Sequence, residues 1–214
     1  MKKYLIVLSI MLAMIGLGAC TPTDNQANPA TVSRYELNDQ EQQLLRMFAI
    51  DDKAAIFSFA APEEATTLHI NAYYLENGSW KQYGGGAISI GEEREPVAQL
   101  EGLVAIESQD QHILAFSIAG GGGKAHYTTE PLGADMEDML FAATFLDTAE
   151  PIVIGEEIPI ALYVYDDGVS VTSHEVSEYF NPDALADMAL VQVITLAFSD
   201  EALNLSLIHI SKRL

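Results

Sequence analysis

Apolar and polar residues alternate with a period of two along most of the chain beyond residue 53. Turn residues recur between the alternating runs at strand-length intervals, which is typical of antiparallel hairpins. Helical runs long enough to alternate with the strands are absent, so the pattern favours an all-β antiparallel sandwich over a doubly wound α/β fold. About nine strands are predicted, and the candidate segments are ten: 54–60, 67–76, 79–90, 97–107, 112–119, 124–129, 139–146, 158–165, 169–176 and 190–198.

Two turn sequences predict how some of these strands pair. Asn77-Gly78 lies between two alternating runs, and it is a strong signal for a two-residue hairpin because both turn positions need positive φ. Asp166-Asp167-Gly168 predicts a second hairpin, in which 158–165 pairs with 169–176.

One short helix is predicted before the first of these strands. Asn38 can cap it, and Glu41 can reach back to the cap in a capping-box arrangement. Four apolar residues within 44–48 form a stripe, which we expect to pack against the core. We expect the helix to end at Asp51-Asp52.

The strands and a second short helix are expected to form one domain, residues 33–204. This length is enough for one well-buried core and too short for two comfortable ones. The second helix is predicted near 182–188, with Asn181 as its cap and Pro182 at the first helical position.

The composition is strongly acidic. The chain has 31 Asp and Glu residues against ten Lys and Arg residues, a formal net charge of −21. Four of the ten basic residues (Lys2, Lys3, Lys212 and Arg213) lie near the two ends, so the part between them is more acidic still. Such a field repels nucleic acid and attracts cations and basic partners, which excludes a nucleic-acid-binding function.

The first twenty residues have the parts of a secretory signal. A basic start at Met1-Lys2-Lys3 is followed by the apolar run 4–16 and by Leu17-Gly18-Ala19-Cys20. This tetrapeptide resembles the lipobox of bacterial lipoproteins, whereas the body of the chain resembles no family that we can name. An ordinary secreted protein or an N-terminal helix anchor is the alternative.

The resemblance implies that residues 1–19 are a signal peptide and that Cys20 receives a diacylglycerol. Cleavage then leaves Cys20 as the first residue of an extracytoplasmic protein anchored to a cell membrane, the outer membrane in a Gram-negative organism. Residues 20–32 are small, polar and proline-containing, and they predict a flexible tether. Since Cys20 is the sole cysteine, no disulfide, thiolate zinc site or cysteine nucleophile is expected.

The last ten residues, 205–214, differ from the rest because they contain no acidic residue. They begin with Leu-Ser-Leu-Ile-His-Ile-Ser, which resembles the in-frame translation of a transposon-end adapter used in sequencing libraries. We therefore expect a non-native tail and a natural chain that continues past Asn204. An edge strand is the alternative, because Leu205, Leu207 and His209 alternate with their neighbours.

Two motif-like stretches are incomplete. The glycine run that ends at Lys124 lacks the first glycine and the Ser or Thr of a phosphate-binding loop. His174-Glu175 lacks the second histidine of a zinc protease helix, because Glu178 occupies that position. We therefore predict no catalytic, cofactor-binding or metal-binding residues, and we predict that the protein is not an enzyme.

Acidic pairs leave two alternatives open. The pairs lie at 51–52, 63–64, 92–93, 156–157 and 166–167, all in predicted turns, where carboxylates are ordinarily solvated. An envelope hydrolase could use two such carboxylates, and a structural calcium ion could be held by oxygens of this kind.

The Asn77-Gly78 hairpin carries the best candidate ligand-binding face. Aromatic rings among amide groups are the chemistry that sugar-binding sheets use. The face consists of His69, Asn71, Tyr73, Trp80 and Gln82.

The register of this hairpin follows from its two-residue turn. Trp80 is expected opposite Leu75, Gln82 opposite Tyr73 and Gly84 opposite Asn71. The three glycines 84–86 have no side chains, so they are expected to leave an open flat surface, called the shelf below, beside the aromatic rings of the face. The alternative, which we favour, is that Trp80 and Leu75 fill a small second core near the hairpin tip.

These observations predict a lipid-anchored extracytoplasmic module with a binding or structural role at the cell envelope. The expected partners are the membrane, through the lipid on Cys20, and a glycan or an envelope protein. A carbohydrate-binding surface lipoprotein is the first alternative, and it requires exposed aromatic residues on one sheet. An envelope hydrolase is the second, and it requires acids that converge in a cleft.

Overall fold

The alternating strands form two antiparallel sheets whose apolar faces meet. The computed structural model describes residues 29–90, 100–120, 123–132, 139–168 and 174–203. Within these ranges, one sheet has six strands and the other has five, so the prediction of an all-β antiparallel sandwich is confirmed. The strands are β1 (Thr31–Arg34), β2 (Ala54–Ala60), β3 (Thr67–Glu76), β4 (Ser79–Ser89), β5 (Glu101–Ser108), β6 (Leu114–Gly120), β7 (Gly123–Thr128), β8 (Leu140–Phe145), β9 (Glu150–Pro151), β10 (Glu157–Asp166) and β11 (Leu190–Ser199).

Neighbouring strands of the first sheet follow the order β7-β6-β5-β2-β1-β9, and those of the second follow β4-β3-β11-β10-β8. Alternate residues of both sheets point into one shared core. The rings of Phe59 on β2 and Phe198 on β11 meet edge to face across it, with centroids 5.5 Å apart, and both side chains are buried. Burial of each such ring contributes about 1.5–3 kcal/mol to folding.

The first helix, α1 (Asp39–Met47), has the predicted capping box. The Asn38 side chain accepts hydrogen bonds from the backbone of Gln40 and Glu41 at 3.0 and 3.1 Å, and the Glu41 carboxylate accepts one from the Asn38 backbone at 2.9 Å. The helix ends at Met47 rather than at Asp51-Asp52, because the chain turns at Ala49 with a φ of 54°.

The expectation that α1 packs on the core is wrong. None of its residues is buried, and three of the four residues of the apolar stripe are exposed, Leu45 being half-buried. Leu44, Met47 and Phe48 are 52%, 73% and 71% exposed.

Two strands lie where none was predicted. Strand β1 begins at Thr31 and pairs with both β2 and β9, and its Val32 is fully buried in the core. The predicted tether to residue 32 is therefore too long, because residues 31 and 32 belong to the sheet. Both strands are short, β9 having two residues, so neither gives a clear alternating pattern.

The hairpin predicted at Asp166-Asp167-Gly168 is also wrong. Strand β10 pairs with β11 on one side and with β8 on the other, so no edge of it is free for a strand over 169–176. Residues 174 and 175 are not in a strand, and a 3₁₀ turn begins at Val176. Residues 169–173 lie outside the described ranges.

The helix predicted near 182–188 is a shorter and tighter element. A 3₁₀ turn at Val176–Phe180 leads into another at Pro182–Leu185, and Leu185 is buried. Pro182 opens the second turn as expected, but the Asn181 side chain makes no capping hydrogen bond. A further 3₁₀ turn occupies Asp110–His112. Within the described ranges, no helix has the length and apolar character needed to cross a bilayer.

The predicted signal peptide, Cys20, most of the tether and the 205–214 tail lie outside the described residues. The predictions about them stay predictions.

Candidate functional site

The hairpin turns at the residues that the sequence indicates. Asn77 and Gly78 have φ values of 52° and 72°, the left-handed values that this two-residue turn needs. Trp80 pairs with Leu75, and Gln82 with Tyr73, as predicted.

Beyond these pairs the predicted register is wrong by one residue. A bulge between β3 residues 72 and 73 leaves Tyr83 as the extra residue of β4, so Ala72 lies opposite Gly84, and Asn71 lies opposite Gly85 rather than Gly84.

The expected shelf at 84–86 is covered from the core side. A Cβ atom added to Gly86 would lie 2.4 Å from the ring of Tyr127, and one added to Gly84 would lie 2.5 Å from the Thr129 methyl group. The Tyr127 hydroxyl donates a hydrogen bond of 2.8 Å to the backbone oxygen of Ala87. These glycines therefore allow close packing of β4 on the β6–β7 hairpin, and Gly84 and Gly86 do not form an open shelf.

Part of the outer face of the five-stranded sheet is covered by the segment 174–189, which contains the two consecutive 3₁₀ turns. A second apolar cluster fills the space between the sheet and this covering segment. Its buried members are Leu162, Val164, Leu185, Val191 and Val193, and it is flanked by Tyr73, Leu75, Trp80, Val176, Tyr179 and Met188.

Trp80 is the hairpin residue that joins this cluster to the covering segment. Its indole nitrogen donates a hydrogen bond of 2.8 Å to the backbone oxygen of Tyr179. The two rings are tilted by 30° with centroids 5.3 Å apart. The side chain is half-buried against protein, as the interpretation of a second core near the hairpin tip predicts.

Glu157, the first residue of β10, is where the polar side chains of this face converge. Its Oε1 accepts hydrogen bonds from Asn71 Nδ2 at 2.9 Å, from the Tyr73 hydroxyl at 2.6 Å and from Thr195 Oγ1 at 3.1 Å. Its Oε2 accepts one from the hydroxyl of Tyr179. One half-buried carboxylate thus ties β3, β10, β11 and the covering segment together.

Neutral donors keep this carboxylate charged. Burial alone would raise the pKa of Glu157, but the hydrogen bonds from Tyr179, Tyr73, Asn71 and Thr195 outweigh it and hold the pKa below its usual range. Burial, with the adjacent carboxylate, raises the pKa of both tyrosine hydroxyls well above the usual value. Both tyrosines therefore remain protonated donors at neutral pH.

The five predicted face residues therefore do not form an open platform. Asn71 and Tyr73 bond Glu157, and Trp80 bonds the covering segment. Gln82 is exposed, and its Nε2 donates to Asn71 Oδ1 at 3.0 Å. His69 is half-buried farther along β3, paired with Ala87 and Ala197.

His174 is paired within the covering segment itself. Its Nδ1 lies 2.6 Å from the Glu178 carboxylate, and the histidine is 8% exposed. Position 178, where a zinc protease would have its second histidine, thus provides the hydrogen-bond partner of the first.

A cleft of about 230 Å³ opens beside Glu157, between the start of β10 and the covering segment. Its walls are mostly apolar, and Glu150, Glu156 and Glu157 are its acidic residues. Val153 and Phe180, which also line it, are 47% and 68% exposed.

The acidic pairs do not form a metal-binding group in the described ranges. No three His, Asp or Glu side chains there are grouped so as to hold one. The pair 92–93 lies outside these ranges. Glu157 departs from the expectation that all paired acids are solvated in turns, since it lies in a strand and is half-buried.

Nothing in the sequence near Glu157 indicates its role. Its donors Tyr179, Thr195, Tyr73 and Asn71 are 22 to 86 positions away in the chain. Their convergence depends on the order of strands in the sheet.

Comparisons of the chain with protein-family models, with curated proteins and with solved structures found no match.

Proposed function

We propose that this protein is a lipid-anchored, extracytoplasmic module with a binding or structural role at the cell envelope, rather than an enzyme. Its folded β-sandwich is held at the membrane by a diacylglycerol on Cys20, at the outer membrane in a Gram-negative organism. Its partners are the membrane, through that lipid, and a protein of the envelope.

The N-terminal pattern supports the anchor. Leu17-Gly18-Ala19-Cys20 follows a basic start and an apolar run, and the chain has no other cysteine that could carry the lipid. Two acyl chains provide stable attachment, at about 0.8 kcal/mol per buried methylene, where a single chain would not.

The state of Glu157 is the observation that favours a non-catalytic role. It is half-buried and lies beside a cleft, as a catalytic acid would be. Its bonds to Asn71, Tyr73, Thr195 and Tyr179 hold its pKa low, whereas a general acid needs a raised pKa. All four donors belong to the fold, so these bonds are structural and the carboxylate is not prepared to act as a general acid.

A carbohydrate-binding role has little support from the hairpin. The ring of Trp80 packs against Tyr179, and the amide of Asn71 and the hydroxyl of Tyr73 are bonded within the protein. Exposed apolar side chains instead favour a protein partner. Met47 and Phe48 are adjacent in the chain and each more than two-thirds exposed, and the exposed Phe180 and Val153 line one cleft. Grouped apolar surface residues of this kind are typical of interaction sites.

Membrane fractionation of a Cys20→Ser variant tests the proposal. We expect the wild-type protein in the membrane fraction as a processed form, released by detergent but not by high salt. The variant should remain unprocessed or appear in the soluble fraction, and Ser9→Ala within the apolar run serves as the control. A variant that is processed and fractionates like wild type would overturn the anchor.

A further inference from the structure

We propose that the cleft between Glu157 and Phe180 binds a lysine or arginine side chain presented by a partner polypeptide. The inference rests on the proposed function, because it names the chemistry by which the envelope module recognises a protein.

The walls of the cleft suit the aliphatic stem of such a side chain. Val153 and Phe180 are 47% and 68% exposed, and they flank an opening lined further by Pro151, Pro159 and Val176. Long basic side chains bury their methylene stems on apolar surface of this kind while the charged end reaches a polar site. The Phe180 ring also offers a face to a passing cation, an interaction that strengthens when water is excluded.

The charge of the cleft favours a cation. Glu157 carries a half-buried negative charge whose four hydrogen-bond donors, among them Tyr73 and Tyr179, are all neutral. Across the described ranges, no Lys or Arg side chain lies within 4.0 Å of its carboxylate. Two further carboxylates, those of Glu150 and Glu156, belong to the same cleft and are exposed.

The Oε2 atom of Glu157 retains capacity to accept one more hydrogen bond. A carboxylate offers about four lone-pair positions, two on each oxygen. Oε1 receives three donors, whereas Oε2 receives only Tyr179. The ammonium or guanidinium group of a partner can therefore bond Oε2 without breaking the bonds that hold the fold.

The size of the cleft limits the ligand. Sites for drug-sized molecules usually occupy about 300–1,000 Å³, and this cleft measures about 230 Å³. It therefore suits one side chain, with the rest of the partner outside.

A matched pair of peptides tests the proposal on the full-length protein as purified, in nanodiscs of neutral lipid if it carries the lipid and in buffer if it does not. The probes are acetyl-Gly-Ile-Lys-Ile-Gly-amide and the same peptide with Gln in place of Lys, titrated by NMR. We expect the Lys peptide to bind with a Kd in the millimolar range and to shift signals of the cleft residues. The Gln peptide should bind at least about tenfold more weakly.

Two cleft variants and one control separate this site from the acidic surface as a whole. Phe180→Ala and the double variant Glu150→Gln/Glu156→Gln should each weaken binding of the Lys peptide about tenfold. Glu64→Gln/Glu76→Gln removes two exposed charges elsewhere and should change the Kd less than about twofold.

Three results would overturn the proposal. They are equal loss of binding in the Glu64→Gln/Glu76→Gln control, equal binding of the Gln peptide, and shifts confined to residues outside the cleft. Each outcome is independent of the fractionation of Cys20→Ser, so a failed cleft and a failed anchor are distinguishable.

Discussion

The indole nitrogen of Trp80 lies 2.8 Å from the backbone oxygen of Tyr179, 99 positions farther along the chain. The bond joins the β3–β4 hairpin to the 3₁₀ turn that covers the outer face of its sheet. Glu157 holds the same turn through the Tyr179 hydroxyl. A face that resembles a ligand platform in the sequence is therefore partly covered by the protein's own chain.

Replacement of Trp80 measures this contribution directly. Truncation of a fully buried tryptophan costs about 3–5 kcal/mol, so we expect Trp80→Ala to lower the free energy of unfolding by about 2–3 kcal/mol because the side chain is half-buried. Trp80→Phe keeps much of the packing and should lose about 1 kcal/mol with the hydrogen bond. Urea denaturation followed by circular dichroism gives both values. A loss below about 0.5 kcal/mol for Trp80→Ala, with loss of glycan binding, would instead favour the exposed platform.

Glu157→Gln tests the carboxylate as a structural centre. The amide keeps the shape of the side chain, but it is uncharged and cannot accept hydrogen bonds from all four donors. We therefore expect the free energy of unfolding to fall by about 1–3 kcal/mol at pH 7. Glu156→Gln, an exposed neighbour, should change stability by less than about 0.5 kcal/mol.

The loss caused by Glu157→Gln should depend on pH. Since the folded-state pKa of Glu157 is below its ordinary value of 4.5, the carboxylate stabilises the fold above that value. The contribution disappears as the pH falls through the folded-state pKa, so the difference between wild type and variant should shrink from pH 6 towards pH 3. A difference that stays constant over this range would contradict the role of the charge.

The close approach of β4 to Tyr127 predicts a selective cost at Gly86. The Cβ of Gly86→Ala would lie 2.4 Å from the ring, and overpacking of this kind costs about 1–3 kcal/mol. Gly123→Ala is the matched control, because the nearest atom to its Cβ is 3.7 Å away. Thermal unfolding should show a lower Tm for Gly86→Ala alone. Equal Tm values for the two variants would mean that the shelf is open.

Because the apolar stripe of α1 is largely exposed, substitutions in it should affect stability far less than substitutions in the core. Met47→Ser/Phe48→Ser removes two large apolar side chains that are 73% and 71% exposed, so the free energy of unfolding should change by less than about 0.5 kcal/mol. Phe57→Ala, in the core, should cost about 3–5 kcal/mol. A loss above about 1.5 kcal/mol in the double serine variant would show that α1 packs on the domain after all.

The sequence predicts most strands of this sandwich because alternation is a local property. The bounds of β2 and β3, and the turn at Asn77-Gly78, agree with the pattern to the residue. Failures occur where the pattern is too short, as in β1 and β9, or where a turn signal is not followed by a partner strand, as at Asp166. The bulge changes the pairing partner of Asn71 from Gly84 to Gly85, and no local sequence signal identifies it.

The candidate site could be predicted only in part for the same reason. The sequence indicates which residues share a face of the hairpin, but not that residues 174–189 cover that face. In the sequence, Glu157 is one of several acids in predicted turns. Its role is visible only in the structure, where strands β3 and β11 place Tyr73 and Thr195 beside it. Contacts between distant parts of the chain follow from topology, which composition and periodicity do not specify.

The lipid on Cys20 is the claim on which location and partners depend, and the mass of the mature N-terminal peptide tests it most directly. The protein should be extracted from membranes with detergent, digested and analysed by mass spectrometry. We predict that the mature chain begins at Cys20 and that its first peptide carries the added mass of a diacylglyceryl group. A first peptide that begins at another residue, or that begins at Cys20 with an unmodified thiol, would contradict the account.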